Sequence, residues 1–523
     1  MIKLNTRIFT LSLFIVCFAL LGGTPQLALA TDTETDANDG GIIFPRGFGI
    51  AVNQVGYMDG SNMGDIEETR EGPWRAGIRR MFDVRDYRPF VEVGEAVGVR
   101  ILTLFALAEM DRLNIVANYP TVTMWGSEFD NSSNIGPKQL EIMDYVKNNA
   151  HHIELGVTGV GHEYWIDGIK HRSEWYNVYE QYAWPEEEMR GRMDLIGKIL
   201  AQYGISEKNG HSFPESMSAY GYHWNPDGDV STGKIWSDYG VKYGNTKFIL
   251  SPEIGFPEWG TGGFDHGVLL FDRHDYGPVW HRYADVPTEP VDDYLTDLTE
   301  SHWANWLAHD DFLQPDLNQQ WIDYFREIQA HPNHYLAKNN EQLYSQWLYQ
   351  RHATVTETSA GTVRIDNRDM AEQAYRYDML GGMVLAVTLE EGQHVSSASL
   401  NGNPISAYFE EAGFGYIYLP RLEREVYEFT YEIGSQRMPR YVNNTGTYNV
   451  YDVTDSRNRF SFEIQMYGTQ TVKVVTNQPG SIESDNEFLT VLSHEYDAAE
   501  GVLHIEIHGR DIQGETGTIT LNY

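Results

Sequence analysis

A chain of 523 residues is too long for one ordinary core, so two or three domains are expected. Its 38 basic and 75 acidic residues give a formal net charge of −37, which argues against nucleic acid and anionic membranes as partners. One cysteine, Cys17, leaves no basis for a disulfide or a Cys-ligated metal, so a metal would need His and carboxylate ligands.

The N-terminus carries Lys3 and Arg7, an apolar run from Ile8 to Leu21, and then Ala28-Leu-Ala30. That order reads as a secretory signal cleaved near Ala30, which implies a secreted or periplasmic protein. The apolar run is too short for a comfortable membrane span, so no membrane is expected in the mature form. Residues 31–41 are polar and acidic and read as a leader without a core. From residue 42 to 350, apolar strand-like runs such as GFGIAV, GVRILTLFAL and HHIELGV alternate with helical stretches. The stretch PEEEMRGRMDLIGKILAQYG opens on Pro185 and acids and closes on Gly204, the asymmetry of a helix. Alternating strand and helix implies α/β architecture with a parallel sheet.

After about Arg351 the runs become short, alternating and bounded by Gly, Asn and Pro, as in GTVRIDN and GVLHIEIHG. These read as antiparallel strands in all-β sandwich modules, residues 351–435 and 436–523. All 13 tryptophans lie between Trp74 and Trp347, and 13 of 18 histidines between His151 and His334. Aromatic faces stack on sugars and imidazole transfers protons near neutral pH, so the chemistry is expected in the first domain.

The run Glu154-Leu-Gly-Val-Thr-Gly-Val-Gly-His-Glu-Tyr-Trp165 resembles the second motif of the polysaccharide deacetylases, the NodB-homology family, which reads His-Gly-x-x-His-Glu. The resemblance extends, more weakly, over residues 46–350. It implies a distorted (β/α) barrel with its site at the C-terminal strand ends. GFGIAVNQVGYMDG is similar to the paired-aspartate motif, with Asn53 and Gln54 at or beside the aspartates. SFPESMSAYGYHWNP, residues 212–226, is similar to the loop forming a wall of the site. SHWANWLAHDD, residues 301–311, is similar to the late motif that supplies a catalytic histidine. The second motif histidine is kept as His162, while Thr158 stands at the first. The family's Asp-His-His metal triad is therefore altered.

Candidate catalytic residues are His162, His223, His302 and Tyr164. Candidate substrate contacts are Arg46, Asn53, Gln54, Trp165, Glu215, Tyr222, Arg273 and Asn305. Arginine suits a bidentate grip on carboxylate. His151 and His152 precede their strand and read as structural. No cofactor is expected without the triad; a divalent metal would enter only through a shifted site at His162 and Asp59. Imidazole, phenol, amide and guanidinium groups suit proton abstraction beside a carboxylate. The expectation is metal-independent β-elimination on a uronate-containing oligo- or polysaccharide, by a lyase or dehydratase. Metal-dependent deacetylation is the alternative. A glycosidase using carboxylates among Glu154, Glu163 and Glu215, or a non-catalytic sugar-binding protein, stands third.

Overall fold

The computed structural model describes residues 41–56, 81–171, 173–177, 179–205, 214–226, 228–246, 263–272, 277–278, 297–302, 306 and 317–523. Eight parallel strands build the first half: β1 (Arg46–Val55), β2 (Ile101–Ala106), β3 (Ile153–Gly159), β4 (Ser216–Ser218), β5 (Tyr243–Thr246), β6 (Val268–Asp272), β7 (Asp297–His302) and β8 (His334–Leu336). They pair in the order β6-β5-β4-β3-β2-β1-β7, and β8 also pairs with the start of β1. Between β6 and β7 no pairing occurs among the described residues, so the sheet is a curled, open half-barrel there.

Helices fill the connections: α1 (Arg88–Val97), α2 (Pro137–Asn148), α3 (Glu186–Ala201), α4 (Thr232–Ser237), α5 (Leu317–Ala330) and α6 (Asn340–His352). α1 starts on Arg88-Pro89 and stops at Gly98, whose φ of 70° admits the left-handed C-cap. α3 carries Glu186, Glu187 and Glu188 in its first turn, where the helix dipole favours anions.

Successive strand residues point to opposite faces, which gives the sheet two cores. Phe48, Ile50 and Val52 of β1 pack with the outer helices. Ala51, Leu102, Leu104, Tyr243, Leu269 and Phe271 face the other way, toward Leu343, Tyr344 and Leu348 of α6 and the C-terminal strands. α6 lies so close to β1 that a Cβ on Gly49 would stand 2.5 Å from a Leu343 methyl. Its flanks are buried on nearly every side, so it has no solvent face to give it a helical period.

The C-terminal strands form three sheets. One of eight strands runs through the whole region, and sheets of five and four strands complete it. The shared sheet is continuous because Ala407–Glu411 pairs in parallel with Tyr441–Asn443. Ile42–Ile43, which the sequence assigns to the barrel, instead adds an edge strand there, against Met383–Thr388. Polar side chains clasp the two halves. Gln346 of α6 donates to Pro45 O (2.8 Å) and Val384 O (3.0 Å) and accepts from Val384 N (2.9 Å). Arg100 donates to Ala150 O and Ile512 O and pairs with Glu154 at 3.2 Å.

His334 at the foot of β8 is 2% exposed and stacks on His331 at 3.6 Å. Burial first, then the fields of His331 and Arg46, bring its pKa from 6.5 to about 3. A pKa depressed in the fold means the unfolded chain takes the proton first. The contribution of His334 is therefore present above pH 6.5 and drains away as pH falls toward 3, by up to about 1.4 kcal/mol per pH unit. Thermal melts should show this as a drop between pH 7 and pH 5 that is smaller in His334→Phe than in the unsubstituted chain.

Candidate active site at the C-terminal strand ends

The loop leaving β3 is held by a buried carboxylate. Glu174 accepts from Val160 N–H at 3.0 Å and Gly161 N–H at 3.3 Å. It is paired with Arg192 of α3 at 2.9 Å, and both side chains are almost wholly buried. Arg192 also donates to Thr121 O at 2.7 Å and Thr121 Oγ1 at 3.1 Å, tying the loop after β2 into the same node. Burial pushes the Glu174 carboxyl upward, while Arg192 and the two amides oppose this. At Gly159, with φ of 134°, a Cβ would lie 2.0 Å from Glu174 Oε2. Only glycine allows the carboxylate to close on the backbone there.

That grip sets the next residue. His162 has φ of 66°, left-handed backbone that a residue with a Cβ rarely adopts. Its buried imidazole lies flat on Tyr220, with centroids 4.0 Å apart and planes 10° apart. Glu163 is buried and pairs with Lys170 at 3.4 Å. Tyr164 and Trp165 then turn into a small hairpin against Ile169–His171. Tyr164 stacks on Trp184 at 4.0 Å, with the Arg192 guanidinium 5.0 Å from its ring. Its phenol is pushed up by burial and by Glu188. The surroundings of Tyr164 are thus those of a packing residue.

β4 ends in a tight turn, Tyr220–Tyr222, in which Gly221 has φ of 64°. The turn carries Tyr220 to His162 and places His223 against the loop after β3. His223 Nδ1 lies 3.0 Å from Tyr176 O, and Tyr179 meets the ring edge-on at 5.2 Å. A carbonyl oxygen only accepts, so Nδ1 carries the proton and Nε2 is the basic nitrogen of the neutral ring.

Asn53, near the end of β1, lies in register with His302 of β7. The register also aligns Ser218 of β4 with Asn245 of β5. Ser218 and Asn245 are fully buried, and the Ser218 hydroxyl makes no hydrogen bond among the described residues. With buried Thr158 on β3 they supply a hydroxyl, a second hydroxyl and an amide near these strand ends. Glu109 just beyond β2 is also buried; a Cβ on Gly56 would stand 2.2 Å from its Oε2.

The structure thus brings His162 and His223 to adjoining strand ends, and Asn53 beside the backbone of His302. It does not bring Arg46 or Glu215 there. Arg46 opens β1, about 23 Å along the strand from Asn53, and its N–H is bonded to Asn333 O. Glu215 precedes β4 and pairs with Lys242 at 2.7 Å. In a parallel sheet all N-terminal ends share one edge, so both residues stand at the foot. Glu154 is at the foot of β3, paired with Arg100. Gln54, Tyr222 and His302 are described by backbone alone, and Asp59, Arg273 and Asn305 lie outside the described residues. Among the described residues no three His, Cys, Asp or Glu side chains gather for a metal. Glu174, Glu109, Ser218 and Asn245 escape sequence reading because no motif spacing links them to His162.

No protein-family model matches this chain, and no curated protein matches it. Among solved structures, the catalytic module of a family 98 glycoside hydrolase from Streptococcus pneumoniae TIGR4, in complex with the LewisY pentasaccharide, is similar at 8% identity. The match covers 92% of this chain and 99% of that one, with a TM-score of 0.24, too low for a shared fold to follow.

Removing one partner of the Glu174–Arg192 pair leaves the other charge buried. Arg192→Met should cost about 3–5 kcal/mol, read as a lowered denaturation midpoint. Glu174→Gln keeps the shape but weakens the hold on Val160 and Gly161, and should raise amide exchange across residues 159–163.

Proposed function

We propose that the chain is a carbohydrate-active enzyme that eliminates across the C4–C5 bond of a uronate residue, as a lyase or dehydratase. The observation that carries this reading is the stacked His162–Tyr220 pair with His223 three residues further on. Elimination needs a base for the C5 proton and an acid for the oxygen leaving C4. Imidazole and phenol are the side chains suited to those transfers near neutral pH. The C5–H bond breaks, its electron pair forms the C4=C5 double bond, and the C4–O bond breaks with a proton delivered to that oxygen. Charge accumulating on the carboxylate during this step is met by hydrogen-bond donors, the role available to Asn53, Ser218 and Asn245. His223 is suited to be the base, since its Nδ1–H is committed to Tyr176 O. Tyr220 and His162 form the acid side. The acidic surplus and the signal-like N-terminus agree with a secreted or periplasmic location.

Hydrolysis of a glycosidic bond is the second reading, favoured by two buried carboxylates, Glu109 and Glu163, beyond adjacent strands β2 and β3.

Incubation with uronate-containing oligosaccharides separates the two. Elimination yields a conjugated product that absorbs in the ultraviolet; hydrolysis yields new reducing ends without that absorbance. Under the first reading His162→Ala and His223→Ala each lower kcat by about 10²–10⁴-fold while the fold persists by circular dichroism. Full activity in either variant, or reducing ends alone, removes the elimination assignment.

A further inference from the structure

The inner face of the half-barrel carries a polar patch that the fold does not complete. Strand alternation sets which residues stand there. Met217 of β4 belongs to the outer core, so Ser216 and Ser218 face inward. A Cβ on Gly244 of β5 would meet Trp224 and Val268 of the same outer core at 3.0 Å, so Tyr243 and Asn245 face inward too. Asn245 pairs in register with Ser218 on one side and with Phe271 of β6 on the other. α6 presses Tyr344 against this row. Its ring stacks on Tyr243 at 3.9 Å and tilts on Phe271 at 4.6 Å.

Toward the foot, the polar groups of this face are matched. Glu154 accepts from Asn340 Nδ2 at 3.1 Å and Ser216 Oγ at 3.5 Å, and pairs with Arg100 at 3.2 Å. Toward the C-terminal strand ends they are not. Ser218, Asn245 and Tyr344 are all fully buried. The Ser218 hydroxyl, both polar atoms of the Asn245 carboxamide and the Tyr344 hydroxyl make no hydrogen bond among the described residues. Such groups lose their water and gain no bond in the fold, so packing gives no reason for three of them on one face. Burial, then the charge of Glu154, pushes the Tyr344 phenol up, and Ser216 and Asn245 oppose this without reversing it. The phenol therefore keeps its proton and stays a donor at neutral pH.

We propose that Ser218, Asn245 and Tyr344 form the seat for the substrate's carboxylate, with Tyr344 of α6 a specificity-determining residue of the site. This rests on the uronate reading above and adds to it a residue from outside the barrel strands. The two hydroxyls and the amide nitrogen donate, and a carboxylate, which only accepts, has lone pairs for all three. Asn245 Oδ1 is left as an acceptor, and a hydroxyl on the sugar ring fills it. A neutral hexose has hydroxyls but no single group that takes three donors at once.

Titration calorimetry of the whole chain with trisaccharides of galacturonate, mannuronate and glucuronate, and with maltotriose, tests it. At least one uronate trisaccharide should bind about tenfold or more tightly than maltotriose. Tyr344→Phe keeps the ring stack and removes only the hydroxyl. It should weaken that uronate by about tenfold or more while the melting temperature holds or rises, because an unpartnered hydroxyl leaves the core. Ser218→Ala should do the same, and it decides the matter if Tyr344→Phe fails to fold. Absence of binding by all three uronates overturns the seat, as does equal binding of maltotriose or unchanged uronate affinity in the folded variants. Loss of affinity together with a lowered melting temperature assigns the hydroxyls to the fold and overturns it too. Uronate binding that depends on Tyr344, with no unsaturated product, upholds the seat and removes the elimination. Unsaturated product with unchanged binding in Tyr344→Phe does the reverse.

Discussion

A guanidinium and a carboxylate buried together, Arg192 and Glu174, organise the most chemically loaded part of this protein. Burying two charges costs more than their attraction returns unless other bonds finish the accounting. Here they do. Glu174 takes two backbone amides from the loop after β3, and Arg192 takes the backbone and hydroxyl of Thr121 from the loop after β2. The pair therefore works as a clamp on two strand ends. The left-handed backbone of His162 follows two residues later and is tolerated because the loop before it is fixed.

From that clamp the site extends sideways through contacts, not sequence. His162 lies on Tyr220, the turn after Tyr220 delivers His223, and His223 hydrogen-bonds back to the loop after β3. Two neighbouring strand ends are closed into one unit. The sheet below contributes buried Thr158, Ser218 and Asn245. The Ser218 hydroxyl has no hydrogen-bond partner among the described residues, and a buried polar group left in that state is costly.

The outer core packs helices against one face of the sheet, and α6 carries the other face into the C-terminal strands. α6 is where the two halves become one unit, since its Gln346 bonds to Pro45 before β1 and to Val384 of the C-terminal sheet, while its Asn340 bonds to Glu154 of β3. It has no amphipathic pattern because it has no exposed face. A helix of this kind cannot be given a place in the fold from its own sequence, only from its neighbours.

The sequence by itself determined the order of elements and the change of texture. Apolar runs of strand length make β1, β2 and β3 legible, Pro185 and three glutamates announce α3, and period-two runs announce the C-terminal strands. These are local effects of burial on both faces, helix capping and one-sided burial. The neighbourhood of His162 was legible through its glycine-rich motif. What only the tertiary structure decided was which end of a strand each residue occupies and which distant residue it meets. Arg46 and Glu215 sit within a few residues of strand boundaries, and strand polarity sends both to the foot. Glu174 is twelve residues beyond His162 in the chain, yet folds back to grip the backbone just before it. Chain-local chemistry is written in adjacent letters; convergence depends on register and packing across elements, which no adjacent letters encode.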